Sequence, residues 1–294
     1  MGHPMAQIQS TRASSPGSSR RRPSKRAYLL ITLFALLLVL FPFLFWYATW
    51  FGRRLSDTQI DSYLADTGKP RHAQHALVQI GERMSSHDAG VVRWYPQVMA
   101  LARSPLLELR QTSAWIMGQD HTYAPFHEAL LKLLSDPQPM VRRNAALALA
   151  NFEDGTGRPE LLGMLKSYTI VSPAAGTVRY RLKLGEYVNP GTLVARVGNV
   201  EVRAALPGEV LDLTDREGGV AAAGDPLAEI AADKEHAWEA LRALWRVGKG
   251  EDLDVVQRYA HGVPGMPERL QEQALLTSQA IREREAQDGF HPVH

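Results

Sequence analysis

The chain of 294 residues contains no cysteine. That excludes disulfides, thiolate nucleophiles, cysteine-ligated zinc or iron–sulfur clusters and thioether-attached haem. It also lacks a Gly-x-Ser-x-Gly elbow, a Gly-rich phosphate loop ending in Lys-Ser/Thr, a His-Glu-x-x-His zinc motif and paired carboxylates in a catalytic context. Acidic residues are missing from 1–26, which hold Arg12, Arg20, Arg21, Arg22, Lys25 and Arg26. Those six of the 33 basic residues leave 27 against 31 acidic ones, so the rest of the chain carries −4 although the whole is formally +2. The basicity is local to a tail, which argues against a nucleic-acid-binding surface. His72 and His75 stand three apart on an expected helix, but no carboxylate lies at a supporting spacing, and neither metal nor cofactor is expected.

Residues 1–26 are rich in Ser, Pro, Gly and Arg and read as a disordered basic tail. From Ala27 to Phe51 no charge occurs. The spacing predicts a transmembrane helix over 27–51, kinked at Pro42 and edged by Trp46, Tyr47 and Trp50. The excess of positive charge before it predicts a cytoplasmic N-terminus and a main body outside, periplasmic in a bacterium, with lipid contacted through Ala27–Phe51.

Beyond this run the apolar pattern turns to helical spacing. Leu130, Leu133 and Leu134 form one stripe; Asp136-Pro137 ends it; Val141, Ala145, Ala148, Leu149 and Phe152 form a second. A shift of 32 residues lays Pro105 on Pro137, Ser104 on Asp136, Leu109 on Val141, Arg110 on Arg142 and Ala114 on Ala146. A weaker copy lies upstream, where Ala76-Leu77 matches Ala114-Trp115. A fixed period of this length with helix-turn-helix content predicts a helical solenoid over 57–168. The order Asp136-Pro137, Val141-Arg142, Ala145-Ala146 resembles HEAT repeats. The resemblance implies that Asp136, Pro137, Arg142, Pro105 and Arg110 are structural repeat positions, the arginines pairing with a neighbouring acid or carbonyl; a functional basic pair is the other reading. Ser104 in place of the Asp weakens a shared capping role. Trp94 and Tyr123 are read as contact residues on repeat loops or as inter-repeat packing.

At Thr169 the composition changes to Val, Gly and Pro, and short apolar runs alternate with turn residues, which predicts strands over 169–231. The stretch is internally duplicated. Gly176-Thr-Val178 matches Gly208-Glu-Val210, and Gly191-Thr-Leu-Val-Ala-Arg-Val197 matches Gly224-Asp-Pro-Leu-Ala-Glu-Ile230. This resembles the barrel-sandwich hybrid of lipoyl and biotinyl carrier domains and periplasmic adaptors. In carriers the hairpin joining the halves presents a modified lysine. Here it reads Val197-Gly198-Asn199-Val200, so Gly198 and Asn199 stand where the attachment residue is missing, and Lys183, the one lysine of the stretch, lies elsewhere. The long helical hairpin of adaptors is missing as well.

Helical spacing returns over 233–284, with Trp238, Leu241, Leu244 and Trp245, then Leu253, Val256 and Tyr259, then Leu270, Ala274, Leu275 and Ile281. Residues 285–294 form a tail. The expected fold is multidomain and mainly α: one transmembrane helix, a HEAT-like solenoid, and a small all-β module inserted in it or following it. The expected function is a membrane-anchored, non-enzymatic scaffold for an unknown protein partner or complex. An accessory, adaptor-like subunit of a transport, secretion or respiratory complex is the alternative, and a lyase-type enzyme, since HEAT-like repeats resemble those of bilin lyases, is the third reading.

Overall fold

A computed structural model describes residues 25–46, 54–66, 68–214 and 217–288. The chain divides into two units, Met1–Arg54 and Leu55–His294.

The described part of the first unit is helix α1 (Lys25–Trp46), with Pro42 inside it and Leu, Ile, Val and Phe side chains exposed along it. The described helix includes the charges of Lys25 and Arg26. Among the described residues no helix is long and apolar enough to cross a membrane. This overturns the transmembrane helix expected over 27–51, and with it the single-pass placement, the lipid contact through Ala27–Phe51 and the periplasmic body. The tail at 1–24 and the aromatic residues beyond Trp46 lie outside the described residues.

The second unit stacks helices in pairs. The pairs are α2 (Asp57–Ala65) with α3 (Pro70–Ser85), α4 (Tyr95–Leu101) with α5 (Leu107–Met117), α6 (Ala124–Leu133) with α7 (Pro139–Asn151), α8 (Arg158–Met164) with α9 (Lys234–Val247), and α10 (Leu253–Ala260) with α11 (Glu268–Asp288). Short 3-10 turns lead into α4, α8 and α10. The second helices α3, α5, α7, α9 and α11 lie side by side in that order. Small residues set the close approach. A Cβ built on Gly118 would sit 2.8 Å from the Cβ of Ala148, and one on Gly157 2.7 Å from the Cα of Ala146.

The β region therefore interrupts the fourth pair, between α8 and α9, where the other pairs have a tight turn. The stack closes across it: Ala146 and Ala150 of α7, Leu161 and Met164 of α8, Leu241 and Leu244 of α9, and Leu270 and Ile281 of α11 share one buried cluster. Its strands are β1 (Tyr168–Val171), β2 (Gly176–Tyr180), β3 (Tyr187–Val188), β4 (Leu193–Val197), β5 (Val200–Arg203), β6 (Gly208–Leu213), β7 (Val220–Ala221) and β8 (Pro226–Ile230). They form two antiparallel sheets ordered β1-β8-β6-β3 and β5-β4-β2-β7. Adding four to each strand number converts one order into the other, so the halves 168–197 and 200–230 exchange places between the sheets. The turn glycines follow the same exchange: Gly185 and Gly218 have φ of 79° and 73°, and Gly191 and Gly224 both have 88°. Val178, Val194, Val197, Leu227 and Ile230 belong to a separate core between the sheets. Tyr168 pairs with Ile230, so the region enters and leaves the stack at one point.

Candidate protein-docking groove

The repeat positions come first, because they shape the surface. Arg110 on α5 donates from Nη1 to the carbonyls of Ser104 (3.0 Å) and Pro105 (3.2 Å) in its own turn, and from Nε and Nη2 to the carboxylate of Asp136 in the next (2.7 and 3.1 Å). Arg142 on α7 does the same one repeat on. It donates to Asp136 O (3.0 Å) and Pro137 O (3.4 Å), then reaches Glu160 on α8 (2.5 Å). Glu160 takes the acid's part there because the next turn is opened by the β region. Burial pushes the Asp136 carboxyl up, but Arg110 and the Gln138 N–H outweigh it and hold it below its ordinary value. Ser104 accepts from Leu106 N at 3.2 Å as Asp136 accepts from Gln138 N at 2.9 Å. The serine thus keeps the local cap and loses only the inter-repeat ion pair.

A second ladder runs between the second helices. Asn144 donates to Gln111 O and Asn151 to Gly118 O, both at 3.1 Å and both 33 residues back. Arg246 of α9 donates in turn to Asn151 Oδ1. Asn144, Asn151 and Arg246 also line a groove of about 740 Å³ across α5, α7, α9 and α11. The lining residues are Trp115 of α5 and Gln119 just after it; Asn144, Leu147, Ala148 and Asn151 of α7; His236, Glu239, Arg242, Ala243, Trp245 and Arg246 of α9; and Gln273 and Leu276 of α11. Trp115 is 45% and Trp245 48% exposed, large apolar rings left in water at its rim. Arg242 lies 4.6 Å over the Trp238 ring and 3.7 Å from Glu239. Two arginines thus face the groove against one glutamate.

Its end toward the β region is held by buried polar groups. Arg143 of α7, 7% exposed, donates to His236 Nδ1 at 3.2 Å. The Tyr187 hydroxyl donates to Asp233 Oδ2 at 2.6 Å, and Asp233 Oδ1 accepts the His236 N–H at 2.9 Å, capping α9. Burial pushes His236 below its ordinary 6.5, assisted by the Arg143 charge and opposed by Asp233. Burial raises Asp233, yet the Tyr187 hydroxyl and the His236 N–H bring it below 3.8. Burial and the Asp233 contact push the Tyr187 hydroxyl up to about 12.

The remaining residues singled out in the sequence fall elsewhere. Trp94 is buried and donates its indole N–H to Asp61 at 2.7 Å, and Tyr123 packs on Tyr95 and Phe126, so neither is a contact residue on a loop. His72 meets Asp66 at 3.0 Å and stacks on Tyr63 at 4.2 Å. Gly198 and Asn199 form the turn between β4 and β5, Gly198 with φ of 58°. Asp120 and Asp154, equivalent loop acids, cap Thr122 and Thr156 and accept from Tyr95 and His127 respectively, both at 2.7 Å. Trp115 was hidden in the sequence because the 32-residue shift lays it on half-buried Leu147 and the weaker upstream copy on buried Leu77; Ala114 and Ile116 beside it take the core.

Arginines anchored in their own turn and reaching to the next repeat, with helices stacked in register, are what a repeat family has to show. Residues 128–154 match the HEAT repeat. No curated protein matches the chain. Among solved structures, an engineered protein is 16% identical over 76% of this chain and 78% of its own, with a TM-score of 0.41.

Proposed function

We propose that the chain is a non-enzymatic helical-repeat scaffold whose groove across α5, α7, α9 and α11 docks a segment of a partner protein. The observation that carries this reading is the exposure of Trp115 and Trp245 beside Arg242 and Arg246 on a concave surface. Aromatic and arginine side chains are the commonest anchors of protein interfaces, and stacked repeats present extended surfaces suited to them. The groove's charge calls for a segment with acidic side chains, and its rim for apolar ones. The β region is read as a relative of the lipoyl and biotinyl carrier modules that has lost attachment. Its support is the exchange of the two halves between the sheets and the Gly198-Asn199 turn where a carrier has lysine.

The test is an array of synthetic peptides graded in acidic and apolar content, probed with the full chain and with Trp115→Ala/Arg246→Glu. Acidic amphipathic peptides are expected to bind, their Gln and Asn counterparts to bind more weakly, and the variant to lose at least tenfold, about 1.4 kcal/mol. Selection of basic peptides, or equal binding by the variant, overturns the reading. Intact mass checks the second part: the sequence mass is expected, and an added lipoyl or biotinyl group on Lys183 contradicts it.

A further inference from the structure

The two outer faces of the β region carry opposite charge. On the sheet ordered β5-β4-β2-β7, Arg179 of β2 and Arg196 of β4 are exposed and stand directly opposite each other, with Arg203 of β5 beyond them. Glu201 joins Arg196 and Arg203 at 2.6 Å each, and among the described residues no ion pair reaches Arg179. On the sheet ordered β1-β8-β6-β3, Asp212 of β6 and Glu229 of β8 are exposed and directly opposite. Exposed Glu209 stands on the same sheet, across from Tyr187. Like charges facing each other across adjacent strands destabilise a sheet. Each face holds one such pair, and the signs are reversed. Arg196 and Glu229 occupy the same position in the two halves, so one backbone geometry presents a cation on one face and an anion on the other.

We propose that the arginine face of one copy of this chain docks on the acidic face of a second copy. The spacing supports this occupant. Both pairs span neighbouring strands about 4.8 Å apart, so one arginine pair matches one carboxylate pair in spacing. The two faces are different surfaces of one molecule, so the contact is heterologous: each copy keeps one face free and the assembly grows head to tail. The proposal is independent of the groove, which lies on the helices.

Sedimentation velocity of the full chain tests it, run over a range of concentrations in a mild non-ionic detergent that covers the apolar surface of α1 without screening charge. Species larger than the monomer are expected at low ionic strength and their dissociation at high, because exposed charges are screened within a Debye length. Arg179→Glu/Arg196→Glu leaves both faces acidic and Asp212→Lys/Glu229→Lys leaves both basic, so each variant alone is expected to be monomeric and their mixture to associate. Where a reversed pair does not fold, Arg179→Gln/Arg196→Gln and Asp212→Asn/Glu229→Gln take its place. Each is expected to fold and to be monomeric. A parent chain that stays monomeric at low salt overturns the proposal. So does association that survives every substitution, or a mixture of folded reversed variants that stays apart.

Discussion

Arg110 and Asp136 are a nearly buried ion pair whose members also serve their own turns, so neither can be removed without stranding the other. Arg110→Ala is expected to cost about 3 kcal/mol in chemical denaturation, the range for breaking a buried pair from one side. The double variant with Asp136→Ala is expected to lose less than the sum of the two single losses. Glycine gives a sharper contrast. At Gly118 a new Cβ would press into Ala148 on the neighbouring helix, whereas at Gly163 in α8 it would meet nothing within 4 Å. Gly118→Ala is expected to lose about 1–3 kcal/mol through overpacking. Gly163→Ala is expected to gain about 0.5–1 kcal/mol by lowering the entropy of the unfolded chain. Melting curves of the two variants check both signs. Equal effects would mean that the approach of α5 to α7 is not set by Gly118.

At the scale of elements, the junction of α7, α9 and the β region is the part that responds to acid. His236 is neutral there, its Nδ1 accepting a hydrogen bond from Arg143, and its pKa lies below 6.5. The unfolded chain therefore binds more protons than the folded one between the folded pKa and 6.5, and stability rises with pH through that window. The contribution is complete above 6.5 and is lost as the pH falls. The melting temperature of the parent is expected to drop below pH 6.5 more steeply than that of His236→Gln. Asp233, with its depressed pKa, gives way only further into acid, below 3.8. The repeat itself was legible in the sequence because Pro105, Arg110, Pro137 and Arg142 return at one spacing and each makes a backbone-directed contact. The place of the β region was not, because α8 and α9 carry no mark that they are partners: Arg142 meets Glu160 where a repeat would supply an aspartate. The groove was hidden for a related reason. A shift in register aligns positions along a helix but does not say which of two neighbouring apolar residues faces the next helix, and Trp115 and Ala114 differ in that alone. The apolar run at 27–51 misled through composition: it is free of charge, yet among the described residues no helix is long and apolar enough to cross a membrane.

For the whole molecule, the decisive fact is that the second unit has one stack and one inserted β region, joined where Tyr168 pairs with Ile230. Replacing 168–231 with a short Gly-Ser turn is expected to leave the helical stack intact, with cooperative unfolding and an undiminished helical signal per remaining residue in circular dichroism. Loss of the cooperative transition would show that the strands are needed to hold α8 against α9.

The same pairing of Tyr168 with Ile230 bears on the order in which the chain folds. α8 and α9 are neighbours in space, yet roughly 70 residues separate them along the chain. If those residues were loose when the two helices met, closing the gap would cost about 2 kcal/mol more than closing an ordinary turn, at about 0.6 kcal/mol for each doubling of loop length. Once the sheets have formed, the gap shrinks to a few residues on each side. The strands thus act as a clasp. During synthesis the first three pairs can assemble as they emerge, while the fourth and fifth wait until the clasp has closed.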